Sequence, residues 1–149
     1  EFPTENVVVS LSGRIDKIMR VNGTLIVQDD KFVAKPQTYD SKTQPYPGQL
    51  LQVLTYLNSN YSARRSPSPD DYFDMPHAQK QWQIRICDRR TREPYKMFSE
   101  VQDAFSLHYL HVSLERFASI AANITEPQHH NSKRKCDACS LKSVCEFRL

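Results

Sequence analysis

The sequence predicts an α/β fold, in which a mixed β-sheet is flanked by helices and followed by a cysteine-rich C-terminal tail. Three observations predict it: a β-hairpin signal near the start, a strand–helix–strand alternation after it, and three cysteines close together near the end. The 149 residues, 39% of them hydrophobic, suffice for one core. We therefore expect a core domain over residues 1–127 and a tail over residues 128–149.

The N-terminal third reads as a strand followed by a hairpin. Residues 7–11 are β-branched and apolar, and Gly13 then breaks or bulges the chain. Asn22-Gly23 is the dipeptide most typical of a two-residue hairpin turn, because both positions accept positive φ. It predicts two antiparallel strands, one ending at residue 21 and the other starting at residue 24.

The remainder alternates between helical and extended patterns. Proline-rich residues 34–48 predict a loop, and residues 49–58 have the apolar spacing of a helix. Residues 61–76 predict a mobile insertion, since they are rich in Ser, Pro and Asp. Residues 81–88 predict a strand with Trp82 in the core. Residues 95–98 pair back on it, and residues 100–123 form a long helix that carries His108 and His111 as ordinary polar positions.

The predicted hairpin places two acidic residues opposite each other. Counting outward from Val21 and Thr24 brings Asp16 opposite Asp29, at a Cβ separation of roughly 5 Å. Two like charges at that distance repel, and a divalent cation such as Mg²⁺ or Mn²⁺ would compensate them through hard oxygen ligands. An acidic patch neutralised by a lysine is the competing interpretation.

Lys31 follows Asp29 by two residues, so its side chain emerges on the same face of the strand. An ammonium beside two carboxylates and a metal can orient a water or stabilise charge on a phosphate. Asp30 faces the other side of the sheet, and we expect only its backbone carbonyl to reach the metal.

These residues resemble a known family. Gly13-x-x-Asp16, then a strand ending in Asp29-x-Lys31, then Gln52-x-x-x-Tyr56 on a helix, are similar to the motifs of PD-(D/E)xK nucleases, in particular the RecB-like branch. The resemblance implies a restriction-endonuclease-like fold, metal binding by the two aspartates, and catalytic assistance from the lysine. It also implies that the Gln and Tyr shape the active site and contact DNA, for example by holding Lys31 or a substrate phosphate.

A nuclease also needs a basic surface for the phosphate backbone. The candidates for DNA contact are Arg64, Arg65, Arg85, Arg89, Arg90, Arg92 and Lys96. A net charge of +3 agrees only weakly with such a partner, since many ordinary proteins carry as much.

The C-terminal spacing C-x2-C-x5-C is typical of metal or iron–sulfur ligation in a reducing compartment. Cys136, Cys139 and Cys145 resemble the triad of the CRISPR-associated exonucleases and of AddB-type helicase–nucleases, which implies a 4Fe–4S cluster. Those relatives take a fourth cysteine from before the core, whereas this sequence has no cysteine before residue 87. We therefore expect either that an N-terminal segment that carried it is missing here or that this is a divergent member. Cys87 is a weaker candidate, and zinc with His129 or His130 is the alternative.

The leading functional prediction is hydrolysis of DNA phosphodiesters, with the resemblance implying an exonuclease that acts on single strands or ends. Two alternatives stay open: a DNA-binding module that no longer cuts, and a structural subunit of a nucleic-acid-processing complex. No apolar run approaches the roughly 20 residues of a membrane helix, and no signal peptide is visible. We therefore expect no membrane partner and a cytoplasmic location.

Overall fold

The computed structural model describes residues 2–4, 7–9, 11–59, 79–126, 132–139 and 143. The predicted insertion at residues 61–76, with Arg64 and Arg65, lies outside the described residues, and so does Cys145.

Six strands, three α-helices and one short 3₁₀-helix make up the described chain. In order they are β1 (Phe2–Thr4), β2 (Val7–Val9), β3 (Lys17–Val21), β4 (Thr24–Val33), the 3₁₀-helix (Pro36–Tyr39), α1 (Pro47–Leu57), β5 (Lys80–Asp88), β6 (Pro94–Val101), α2 (Ala104–Ala121) and α3 (Lys133–Asp137). Asn22 and Gly23 join β3 to β4 with φ values of 49° and 79°, as the hairpin prediction requires.

The strands form two sheets. β1 and β2 pair antiparallel as a separate ribbon, and the other four form a sheet of order β3-β4-β5-β6. β3 and β4 are antiparallel, β4 and β5 are parallel, and β5 and β6 are antiparallel. The four-stranded sheet is therefore mixed, as predicted, with the parallel pair at its centre and α1 in the connection between the two parallel strands.

One face of the four-stranded sheet packs against α1. Val27, Trp82, Ile84 and Ile86 are buried on the central strands, and Val53, Leu54 and Leu57 are buried on the helix. Val27 lies beside Trp82, and Asp29 beside Ile84, in the parallel register. The same side of β4 that contributes to this core thus carries Asp29 and then Lys31 toward its carboxyl end.

The chain divides into two compact units. One unit comprises Leu11–Leu114 and holds the mixed sheet, α1 and the first part of α2. The other comprises Glu1–Ser10 and Glu115–Leu149, and it holds the β1–β2 ribbon and α3. All of the predicted catalytic residues belong to the first unit.

Several predicted boundaries differ from the structure. β6 continues to Val101, because Glu100 and Val101 pair with β5, so α2 begins at Ala104 instead of residue 100. The predicted loop at residues 34–48 contains the 3₁₀-helix, which has Pro36 at its first turn. β1 and α3 were not predicted. Among the described residues, no helix is long and apolar enough to cross a membrane.

Candidate active site

The β3–β4 hairpin brings Asp16 to the edge of β4 beside Asp29. The observed register runs from Val21 opposite Thr24 to Lys17 opposite Gln28. The next position in that register would pair Asp16 with Asp29, which confirms the count made from the turn. Asp16 itself lies one residue before β3 and is exposed, so solvent can reach its carboxylate.

Asp29 is a buried carboxylate, only 3% exposed. Its Oδ2 lies 2.6 Å from Lys31 Nζ, an ion pair on one face of β4. Burial raises the pKa of Asp29, Lys31 opposes that rise, and the charges of Asp16 and Asp30 add to it, so the net pKa lies above the usual value. The charge of Asp16 thus acts on the pKa of Asp29 in the direction that two opposed carboxylates predict.

Two side chains of α1 hold Lys31 in place. Lys31 Nζ donates to Gln52 Oε1 at 2.6 Å, and Gln52 Nε2 donates to the Tyr56 hydroxyl at 2.9 Å. Gln52 and Tyr56 are four residues apart, so they project from the same side of the helix. Of the roles implied by the resemblance for Gln52, the structure contains the contact with Lys31.

Gly13 packs against the ring of Tyr56, the last residue in this series of contacts. A Cβ added to Gly13 would lie 2.7 Å from Tyr56 Cε1 and 3.0 Å from its hydroxyl oxygen. Because real Cβ atoms do not approach other atoms so closely, a larger residue here would displace the Tyr56 ring. The glycine of the Gly13-x-x-Asp16 motif is therefore explained by packing against the helix, a contact that the sequence did not reveal.

The Asp16 carboxylate also contacts the backbone of β4. The Asp30 N–H donates to Asp16 Oδ2 at 2.8 Å. In an extended strand the N–H and C=O of one residue point the same way, so the Asp30 carbonyl also faces the edge of β4 where Asp16 lies.

These oxygen donors fit a hard divalent cation. Mg²⁺ is commonly bound through one or two carboxylates with several waters retained, and Asp16 and Asp29 supply two carboxylates. Within the described residues, no hydrogen bond of regular geometry reaches the buried Asp29 Oδ2, although Lys31 Nζ is close to it. The same residues include no group of three or more His, Cys, Asp or Glu side chains that could hold a metal ion.

The basic residues predicted to contact DNA lie in different surroundings. Arg89, Arg90 and Arg92 are exposed in the turn between β5 and β6. Lys96 Nζ donates to the backbone carbonyls of Tyr39, Asp40 and Lys42 at 2.7, 3.2 and 2.7 Å.

Arg85 pairs with Asp30 on the face of the sheet opposite to Asp29: its Nε donates to Asp30 Oδ1 at 3.0 Å, and its Nη2 contacts Oδ2. This pair could not be predicted from the sequence, because it depends on the register between two strands and joins residues 55 positions apart.

The cysteines are divided between the two units. Cys136 is buried in α3, and the Cys139 N–H donates to the Cys136 carbonyl at 3.1 Å. Cys87 is 1% exposed in β5, and burial raises the pKa of its thiol. A raised pKa disfavours the thiolate that metal ligation needs.

The fold and the site together define a restriction-endonuclease-like α/β protein. Asp29, Lys31 and the helix-borne Gln52 contact one another on one side of a mixed sheet, and the Asp16 carboxylate is bonded to the backbone of β4. The family model of the PD-(D/E)XK nuclease superfamily matches residues 1–146, and the chain belongs to that superfamily. Its members are nucleases, which act on nucleic acids and generally use Mg²⁺ or Mn²⁺. No curated protein matches the chain.

Proposed function

We propose that this chain is a Mg²⁺- or Mn²⁺-dependent DNA exonuclease that acts on single-stranded DNA or DNA ends. The proposal is supported by the hairpin register, whose next position beyond Lys17 and Gln28 would pair Asp16 with Asp29, and by Lys31 Nζ at 2.6 Å from Asp29 Oδ2. The preference for single strands and ends comes only from the resemblance to RecB-like and CRISPR-associated exonucleases.

Asp16, Asp29 and the Asp30 carbonyl are the residues that would hold the metal. A divalent ion bound there would polarise the scissile phosphate and lower the pKa of a water. The raised pKa of Asp29 means that a cation also helps to keep this carboxylate ionised in its buried position.

Lys31 is the proposed contact to the reacting groups. Its ammonium has three N–H bonds. One is donated to Gln52 Oε1, and Asp29 forms an ion pair with the group at 2.6 Å. A remaining N–H can donate to a phosphate oxygen or orient a water. Gln52 and Tyr56 act mainly by holding the ammonium, since Gln52 bridges Lys31 and the Tyr56 hydroxyl.

The exposed turn between β5 and β6 is the strongest candidate for backbone contact among the described residues. Asp88 Oδ1 accepts from the N–H groups of Arg90 and Thr91 at 2.7 and 3.2 Å, which fixes the turn beneath the arginines. Replacing Arg89, Arg90 and Arg92 with Gln should lower the slope of log affinity against log salt by about 2 for single-stranded DNA, at roughly 0.7 per lost phosphate contact. The roles of Arg64, Arg65, Arg85 and Lys96 in DNA binding stay predictions.

The test is cleavage of linear single-stranded DNA, circular single-stranded DNA, duplex DNA and RNA, each with Mn²⁺, Mg²⁺ or EDTA. We expect linear single strands to be shortened with either metal and circles to survive, because an exonuclease needs an end. Asp29→Asn and Lys31→Met should abolish cleavage. The matched controls Asp40→Asn and Lys80→Met, at positions outside the site, should cut as the parent does. Full activity of Asp29→Asn would reject the assignment.

The same assay separates the alternatives. A chain that binds DNA in the presence of EDTA but cuts no substrate in any metal would be a binding module. A chain that neither binds nor cuts would fit a structural subunit in a larger nucleic-acid-processing complex. Cleavage of the circle would retain the nuclease and remove the requirement for an end.

The cysteine-rich tail is proposed to bind a 4Fe–4S cluster through Cys136, Cys139 and Cys145. Support comes from the spacing, and from Cys136 and Cys139 lying one turn apart at the end of α3. A tail at residues 128–149 that folds around such a cluster would be distinct from the catalytic core. Anaerobically purified protein should be brown and contain about four irons per chain. One zinc per chain without colour would favour the alternative metal.

A further inference from the structure

Asp30 lies between two proposed active-site residues but points its side chain away from them. It occupies the opposite face of β4 from Asp29 and Lys31. Arg85 is its direct partner on β5 in the parallel register, and the guanidinium contacts both carboxylate oxygens. Gln28 Nε2 donates to Asp30 Oδ1 at 2.8 Å, so the carboxylate is held from its own strand as well.

The backbone of Asp30 faces the proposed metal site. Its N–H donates to Asp16 Oδ2 at 2.8 Å, and its carbonyl opens in the same direction. A shift of Asp30 would therefore move a proposed ligand oxygen, change the support of the Asp16 carboxylate, and move Asp29 through the peptide bond.

We propose that Arg85, acting through Asp30, is a positioning residue for the divalent-metal site. This inference rests on the proposed function, since it concerns the same metal. The guanidinium fork fixes the carboxylate in both distance and angle, because two parallel N–H bonds define an orientation that a single point charge does not. Arg85 thereby fixes the position of β4 from the opposite face of the sheet, without touching the metal.

The solvent exposure of the Arg85 and Asp30 side chains indicates that the pair mainly affects the geometry of the proposed metal site and contributes little to the stability of the fold. The side chains of Arg85 and Asp30 are 33% and 16% exposed. Ion pairs that are partly open to water contribute little to the stability of a fold. Residues that orient metal ligands from behind, however, commonly change metal affinity by about 10- to 100-fold when they are replaced.

The test compares Arg85→Lys with the parent by calorimetric titration of Mn²⁺ in the absence of DNA. Lysine keeps the charge and loses the fork, so we expect the Mn²⁺ dissociation constant to rise about tenfold and the metal-free melting temperature to stay close to that of the parent. Arg20→Lys on β3 is the matched control and should bind Mn²⁺ as the parent does.

A double variant separates positioning from folding. Asp30→Leu with Arg85→Leu removes both charges, so no uncompensated carboxylate stays behind. Its metal-free melting temperature should fall only by the loss of the one hydrogen bond from Gln28 Nε2 to Asp30 Oδ1. Its Mn²⁺ affinity should stay reduced, because residue 85 no longer holds residue 30 in position. Parental Mn²⁺ affinity in Arg85→Lys or in the double variant would overturn the inference.

The outcomes for the inference and for the nuclease assignment are distinguishable. If the parent binds Mn²⁺ and cuts DNA while Arg85→Lys binds Mn²⁺ equally well, the inference falls and the nuclease stands. If the parent binds Mn²⁺ but cuts nothing while Arg85→Lys binds it more weakly, the inference stands and the nuclease falls. A parent that binds no Mn²⁺ would overturn both.

Discussion

At the scale of single residues, the side chain of Asp29 is buried, and this burial disfavours its negative charge. Its pKa is raised by burial, against the opposing effect of Lys31. The folded chain then binds the proton more tightly than the unfolded chain does. Stability therefore falls as the pH rises from the ordinary value of 3.8 through the raised pKa of the folded state. Shifted pKa values of this kind are common among groups that take part in catalysis or binding.

The substitution Asp29→Asn should raise the melting temperature of the metal-free protein at neutral pH, because it removes the buried charge. The gain should shrink as the pH is lowered toward 3.8, where the parental carboxylate also becomes neutral. Differential scanning fluorimetry in EDTA across this pH range measures both effects. Asp40→Asn, on an exposed carboxylate, is the control. A variant that melts at or below the parental temperature at every pH would contradict the account of Asp29.

Gly13 offers a second residue-scale prediction. Gly13→Ala places a methyl group 2.7 Å from Tyr56 Cε1, so the ring must move and the 2.9 Å bond from Gln52 weakens. We expect cleavage to slow by about fivefold, the equivalent of about 1 kcal/mol for one hydrogen bond. Gly48→Ala is the matched control, since nothing lies within 4 Å of its added methyl group. Equal rates for Gly13→Ala and the parent would show that the Tyr56 contact is dispensable.

The relative positions of the proposed site residues could be predicted where they depended only on local strand register. Asp16 opposite Asp29 follows from one turn, and Lys31 follows from the alternation of a strand. The Arg85–Asp30 pair and the Gly13–Tyr56 contact were beyond such reasoning. Both join segments far apart in sequence, and their register is set only when β4 packs beside β5 or when α1 packs over the sheet.

At the scale of elements, the periodic segments were predicted well and the boundaries less so. The hairpin, α1 and β5 are confirmed within a few residues. The start of α2 was wrong because Glu100 and Val101 continue the pairing of β6 with β5. The helical spacing of the sequence does not show that these two residues pair with a strand instead of joining the helix. β1 was not predicted because its three residues carry too short a pattern, whereas β2 lies within the strand predicted at residues 7–11.

Lys96 ties the connection between β4 and α1 to the sheet. Its ammonium donates to three backbone carbonyls that follow or end the 3₁₀-helix, those of Tyr39, Asp40 and Lys42. Lys96→Met should lower the free energy of unfolding by about 1 kcal/mol, because three backbone carbonyls lose their donor and two of these hydrogen bonds are partly buried. The affinity of the folded variant for DNA should change little. Chemical denaturation beside salt-dependent DNA binding tests this, with Lys80→Met as control. A stable variant with weakened DNA binding would instead favour Lys96 as a DNA contact.

At the scale of the whole molecule, the mixed sheet and the superfamily were predictable because three short motifs occur in order on suitable elements. The family model covers residues 1–146, which includes the ribbon and most of the tail. Substrate and pathway were not predictable in the same way. They depend on surfaces outside the motifs, and strand register says nothing about those surfaces.

The most direct measurement is a crystal structure of the protein soaked in Mn²⁺, with the ion located by anomalous diffraction. We expect one Mn²⁺ with oxygens of both Asp16 and Asp29 at about 2.2 Å, a distance typical of hard divalent ions. The Asp30 carbonyl should complete the protein ligands. An ion bound by only one of the two aspartates, or no ion at millimolar Mn²⁺, would contradict the claim that the hairpin builds a shared metal site.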